Sequence, residues 1–213
     1  VALTVPVAGG RGVAVLDLKK GKIILKQGVG DGRSAVDYLW ASNERLVVSL
    51  AEDFGGGEAP LLTGELVAFN ADGTNQEYLF GYRGGVASGT AALGSRLGKG
   101  RTVNAFGFAI RSLPNDPDHI LIQARNFGAD ADDGRTTAYR LSVRDGKIDR
   151  GVAAPISGWV RFVADDTGFV RYAVGEDDRS RVRSFARSPE KPEWAELPVP
   201  AGTTARPEFL SKD

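Results

Sequence analysis

A unit of strand, turn and strand recurs along this chain. It reads Val15-Leu16-Asp17-Leu18-Lys19-Lys20-Gly21-Lys22, then Ala68-Phe69-Asn70-Ala71-Asp72-Gly73-Thr74, then Arg140-Leu141-Ser142-Val143-Arg144-Asp145-Gly146-Lys147. Each copy carries a β-rich run into a turn whose glycine tolerates positive φ, which is the chemistry of a tight antiparallel hairpin. Self-similarity at a spacing of several tens of residues marks a repeat architecture, and β-rich units of this size point to propeller blades. In such an array the repeats are a scaffold. Function is expected on its rims or in an attached domain.

The 213 residues, 42% of them hydrophobic, are enough to bury a core without disulfides or metal. Lys+Arg and Asp+Glu balance at 27 each, so no strong field draws the chain to nucleic acid or to an anionic membrane. Neither is expected as a partner, and no cofactor is expected. No run approaches the ~18 apolar residues of a membrane span, and no signal segment opens the chain, so a soluble chain is expected. Cysteine is absent, which removes disulfides and thiolate zinc sites. Methionine is absent too, even at position 1, so the chain is expected to begin after processing, trimming or excision. Val1 to Val7 already reads as a strand, and residues 207–213 stop where a hairpin turn would begin. Both ends are expected to fall inside repeats.

Alternating apolar and polar residues between Gly, Asp and Pro turns divide the rest. The expected blade segments are 1–27, 34–82, 103–152 and 156–198, with the start of a further blade at 203–213. The fold class that follows is all-β, with antiparallel four-stranded blades: about three blades and partial ones at both ends. A closed ring needs ~4 to 8 blades, so an open arc of a larger propeller is expected. Residues 81–99, rich in Gly, Ala, Ser and Arg, break the pattern as a long loop.

Catalytic chemistry is hard to find. Ser88, in Val86-Ala87-Ser88-Gly89, and Ser95, in Gly94-Ser95-Arg96, do not complete the G-x-S-x-G of a nucleophile elbow. The one histidine, His119, beside Asp116 and Asp118, reads as the start of a strand after a turn. No catalytic, cofactor-binding or metal-ligating residue is assigned. Asp130, Asp132, Asp133 and Gly134 lack the closing carboxylate of a calcium loop and read, like Glu176-Asp177-Asp178, as a solvated loop tip. Gly28-Val29-Gly30-Asp31-Gly32 has the glycines of a phosphate cradle without its helix, and reads as an inter-blade turn. Arg179, Arg181, Arg183 and Arg187 could recognise a carboxylate, but a charged outer edge that discourages strand addition is the favoured reading. Trp40, Trp159 and Trp194 are each expected in a strand, packed between blades.

Leu3-Thr4-Val5-Pro6, Val13 to Leu18, and Trp40 before Glu44-Arg45-Leu46-Val47-Val48 resemble the start of bacterial peptidases of the prolyl oligopeptidase family. The likeness continues through Thr63 to Ala68, Asn70-Ala71-Asp72-Gly73, Asp116-Pro117-Asp118-His119-Ile120-Leu121-Ile122 and Gly168-Phe169-Val170-Arg171-Tyr172-Ala173. The resemblance implies a β-propeller that filters peptides for an α/β-hydrolase domain with a Ser, Asp, His triad, and it leans toward a bacterial periplasmic or cytoplasmic protein. Only the first half or so of the propeller is matched. The expected function is non-catalytic substrate gating, with the hydrolase domain and its peptide substrate as partners. The alternative is a free-standing propeller module that binds without catalysis. Blades cut at both ends are also expected to expose edges that self-associate.

Overall fold

The computed structural model describes residues 1–30, 32–52, 59–83, 103–127, 134–199, 203 and 206–207. All regular secondary structure among them is β-strand, in four successive antiparallel meanders. The first has three strands, β1 (Ala2–Val7), β2 (Gly10–Asp17) and β3 (Lys22–Gln27). The second has four, β4 (Arg33–Trp40), β5 (Arg45–Glu52), β6 (Leu61–Asn70) and β7 (Glu77–Phe80). The third is β8 (Ala105–Ser112), β9 (His119–Asn126), β10 (Arg135–Ser142) and β11 (Val152–Ser157). The fourth is β12 (Val160–Ala164), β13 (Val170–Glu176), β14 (Val182–Ala186) and β15 (Ala195–Glu196). A short parallel pairing of Gly10 with Arg33 and Arg11 with Ser34 joins the first meander to the second in one seven-stranded sheet.

The third meander runs on to Ser157, because β11 pairs with β10, past the boundary expected at 152. Most of 203–213 lies outside the described residues.

The three copies of the sequence unit occupy one structural position. Each is the turn from the third to the fourth strand of a meander, counting β2 as a third strand, and Gly21, Gly73 and Gly146 have φ of 60°, 83° and 69°. An aspartate organises each turn through its own carboxylate: Asp17 Oδ1 accepts from the Lys19 N–H at 3.0 Å, Asp72 Oδ1 from Thr74 at 2.9 Å, and Asp145 Oδ1 from Lys147 at 3.3 Å. Contacts between meanders recur in the same way. β2 meets β4, β6 meets β8 and β10 meets β12, while β8 also touches β4 and β12. The three-stranded unit therefore corresponds to strands two, three and four of its successors.

The core lies between meanders. Val13, Val15, Leu46, Val48 and Phe69 fill the first gap, Val47, Leu66, Phe80, Ile122 and Leu141 the second, and Leu121, Ala138, Val160, Phe162 and Phe185 the third. Inner strands are thus covered on both faces, and Leu46, Val47 and Val48 are all buried although period two would put Val47 in water. Gly64 permits one close approach: its φ is +67°, and a Cβ there would lie 2.6 Å from the Cα of Phe106.

Candidate ligand-binding cleft beside Trp159

β8 is an edge strand, paired only with β9. The register sets Phe106 opposite Arg125 and Phe108 opposite Gln123, and directly paired residues share a face. That face looks toward the fourth meander. Midway along it, Leu121 and Ala138 pack into the core, but toward the start of β8 it becomes aromatic and polar.

Trp159 sits at this open end. It precedes β12 and is 44% exposed, so the expectation of a strand tryptophan packed between blades is wrong for this residue. The two residues around it are held by the neighbouring meander. Buried Thr136 donates through Oγ1 to the Gly158 carbonyl at 2.7 Å and accepts from the Val160 N–H at 3.1 Å. The Gly158 N–H donates to the Gly134 carbonyl at 2.8 Å. Gly158 takes φ of +90°, which a side chain at that position would oppose.

Phe108 meets the Trp159 ring edge-on, with centroids 5.4 Å apart, and the Arg125 guanidinium lies 5.7 Å from the indole centroid. Beside them is a cleft of about 620 Å³ lined by Gln123, Trp159, Arg161, Glu176, Val182 and Arg206. Gly175 permits a close approach behind it, since a Cβ there would come within 2.8 Å of Val160 Cγ2. Gln123 Oε1 accepts from the Phe162 N–H at 3.3 Å, and Arg111 bonds the Ala164 carbonyl and Asp166. Side chains of the third meander thereby satisfy backbone groups of β12.

A second aromatic group continues the strip. The Phe106 and Phe127 rings pack at a tilt with centroids 4.7 Å apart, Tyr82 lies edge-on to Phe127 at 5.6 Å, and Arg83 lies over the Tyr82 ring at 5.0 Å. Arg83 is anchored by carboxylates of the second meander, bonding Glu52 and the fully buried Glu65. The Tyr78 hydroxyl donates to Glu65 Oε1 at 2.7 Å. Burial alone would raise the Glu65 carboxyl, but bonds from Arg83, Tyr78 and Thr63 outweigh it and hold the group below its ordinary value. Burial, with the Glu65 charge adding to it, pushes the Tyr78 phenol far up.

The residues picked out from the sequence are scattered. His119 begins β9, its Nδ1 2.9 Å from Asp116 Oδ1, and Arg140 bonds the other oxygen of Asp116. Ser142 faces His119 in the register, yet its Oγ accepts from the N–H groups of Arg144 and Asp145 in the turn. Ser88, Ser95 and Asp130 to Asp133 lie outside the described residues. The Gly28 to Gly32 segment, of which Asp31 is likewise outside, is the turn from β3 to β4. Asp177 does more than tip a loop: its Oδ1 accepts from the N–H groups of Arg179 and Arg181, and its Oδ2 bonds the Arg181 and Arg183 side chains. Arg183 also bonds Glu196 across to β15, and Arg187 lies over the rings of Phe169 and Trp194. β14 is therefore not the outer edge expected, because β15 covers Phe185 and Ala186. Trp40 packs on the first core, and Trp194 packs on Phe162 while its Nε1–H donates to the Ala153 carbonyl at 2.9 Å, bridging two meanders.

Phe108, Gln123, Arg125 and Thr136 were not visible as a group, because only the register of three strands brings them together. The Gly158-Trp159 pair was the one available signal, a tryptophan straight after a glycine where the chain changes sheets. Among the described residues no three metal-ligating side chains converge. No protein-family model, curated protein or solved structure matches this chain.

Proposed function

We propose that the chain supplies successive blades of a β-propeller that gates peptide access to an α/β-hydrolase of prolyl oligopeptidase type. The observation that carries the reading is the recurrence of one contact, third strand against the next meander's first strand, at β2 with β4, β6 with β8 and β10 with β12. In a propeller such a step repeats in one sense, with sheets face to face around an axis and their first strands innermost. Gating in such a ring is steric. Short peptides pass along the inner strands and folded proteins do not. Phe106 and Phe108, on the first strand β8 of the third meander, would lie on that inner row.

The test is made on the parent polypeptide. A fluorophosphonate should label one serine outside residues 1–213, and deleting the propeller should let the hydrolase cleave folded proteins that the parent rejects. A parent without a reactive serine would leave a free-standing binding module as the better reading.

A further inference from the structure

We infer that the cleft beside Trp159 binds a short peptide in which a carboxylate side chain neighbours an aromatic one. The inference rests on the gating reading for its choice of peptides, and on the cleft alone for the rest. A large aromatic in water is ordinary when it is loose. Trp159 is not loose, because Thr136 and Gly134 pin the backbone on either side of it through Gly158 and Val160. Its edge-on contact with Phe108 and the Arg125 guanidinium over the ring fix the indole as well. A pre-set aromatic face is what lowers the ordering cost of binding.

The charge around it selects the ligand. Among the described residues, Arg161 and Arg206 line the cleft with one carboxylate, Glu176, and Arg125 lies against the indole. Two cations to one anion in that lining, with Arg125 adjoining, favour an acidic group, and guanidinium matches a carboxylate better than an ammonium would. An aromatic side chain stacked on Trp159 would place a neighbouring carboxylate within reach of Arg125 or Arg161. At about 620 Å³ the cleft falls within the ~300–1,000 Å³ of small-ligand sites, enough for a few residues and too small for a docked domain.

The probe is acetyl-Gly-Phe-Asp-Gly-amide, compared with the same peptide carrying Asn or Lys for Asp. Binding is followed on the indole Nε1–H resonance of Trp159, assigned by its loss in Trp159→Phe. Saturable movement with the Asp peptide is expected, with affinity about tenfold weaker for the Asn peptide and weaker still for Lys. Arg125→Gln should remove most of that preference while leaving the thermal midpoint unchanged, and Trp159→Ala should abolish binding. No saturable shift, or equal binding of the three peptides, would overturn the site. The two readings fail separately: a parent lacking a hydrolase sinks the gate but leaves this binding intact, whereas a labelled hydrolase whose chain ignores all three peptides sinks the cleft alone.

Discussion

Arg45 grips the carbonyl of Val143 with two nitrogens, Nε at 2.9 Å and Nη2 at 2.7 Å, across 98 positions of sequence. Its third nitrogen bonds Asn70 Oδ1 at 3.2 Å and the Asn75 carbonyl. The side chain thus ties two turns of the second meander to one of the third. Burial pulls the guanidinium below its ordinary value, with Glu77 opposing, but so strong a base stays charged.

Removing this fork orphans three acceptors, at least one of them deeply buried, and a buried acceptor left unpaired costs ~1–3 kcal/mol. Arg45→Ala is expected to lower stability by about 3 kcal/mol. Arg45→Lys, which offers a point charge in place of a planar fork, should recover less than half of that. Urea unfolding decides it, through a fall in midpoint at unchanged slope. A loss below about 0.5 kcal/mol for Arg45→Ala would mean that the clamp is incidental.

The repeat was legible in the sequence because its turns carry their own chemistry. Asp17, Asp72 and Asp145 bond backbone N–H groups within their turns, and the glycines beside them adopt positive φ, so each unit announces itself locally. The fourth meander lacks that signature. Its corresponding turn, Ser188 to Lys191, uses no glycine, so its position rests on pairing alone. The cleft was illegible for the opposite reason. Thr136, Arg125 and Phe108 lie on three strands, and nothing in their spacing tells that Thr136 caps the backbone around Trp159. Trp159 reads as a strand residue because its apolar neighbour on the C-terminal side mimics strand alternation, whereas Gly158 turns the chain there.

The Glu65 network predicts a particular pH profile. The Glu65 carboxyl in the folded chain titrates below its ordinary 4.5, so its contribution is complete above that pH and is lost as pH falls through the folded value. The Tyr78 phenol is shifted the other way, above its ordinary 10.0, so its contribution holds below that pH and is lost as pH rises through the folded value. Glu65→Gln should flatten the acid limb of a stability profile, and Tyr78→Phe the alkaline limb. Glu65→Ala, which strips Arg83 of its buried partner, should cost about 3–5 kcal/mol at neutral pH. An acid limb unchanged in Glu65→Gln would count against the network.

Self-association through β1 is the last expectation, and the hydrogen-bond pattern says how far it can go. Val1 and Leu16 exchange two bonds, so by antiparallel alternation Leu3, Val5 and Val7 also turn their backbone groups toward β2, and Ala2, Thr4 and Pro6 turn theirs outward. The Ala2 carbonyl already accepts from the Tyr38 hydroxyl at 2.7 Å, and Pro6 has no N–H. The edge that remains is the Ala2 N–H, both groups of Thr4 and the Pro6 carbonyl. Around it Val1 and Leu3 are exposed, as are Ile23 and Ile24 on β3 between Lys22 and Lys26. A short edge with apolar flanks supports weak pairing rather than a permanent interface. Sedimentation velocity should show a reversible, concentration-dependent dimer. Leu3→Lys, a charge set on the edge, should shift it to monomer, whereas Ile24→Lys should change it less. A single species of 22.6 kDa at all concentrations, binding no hydrophobic dye, would show that Tyr38 and Pro6 close the edge by themselves.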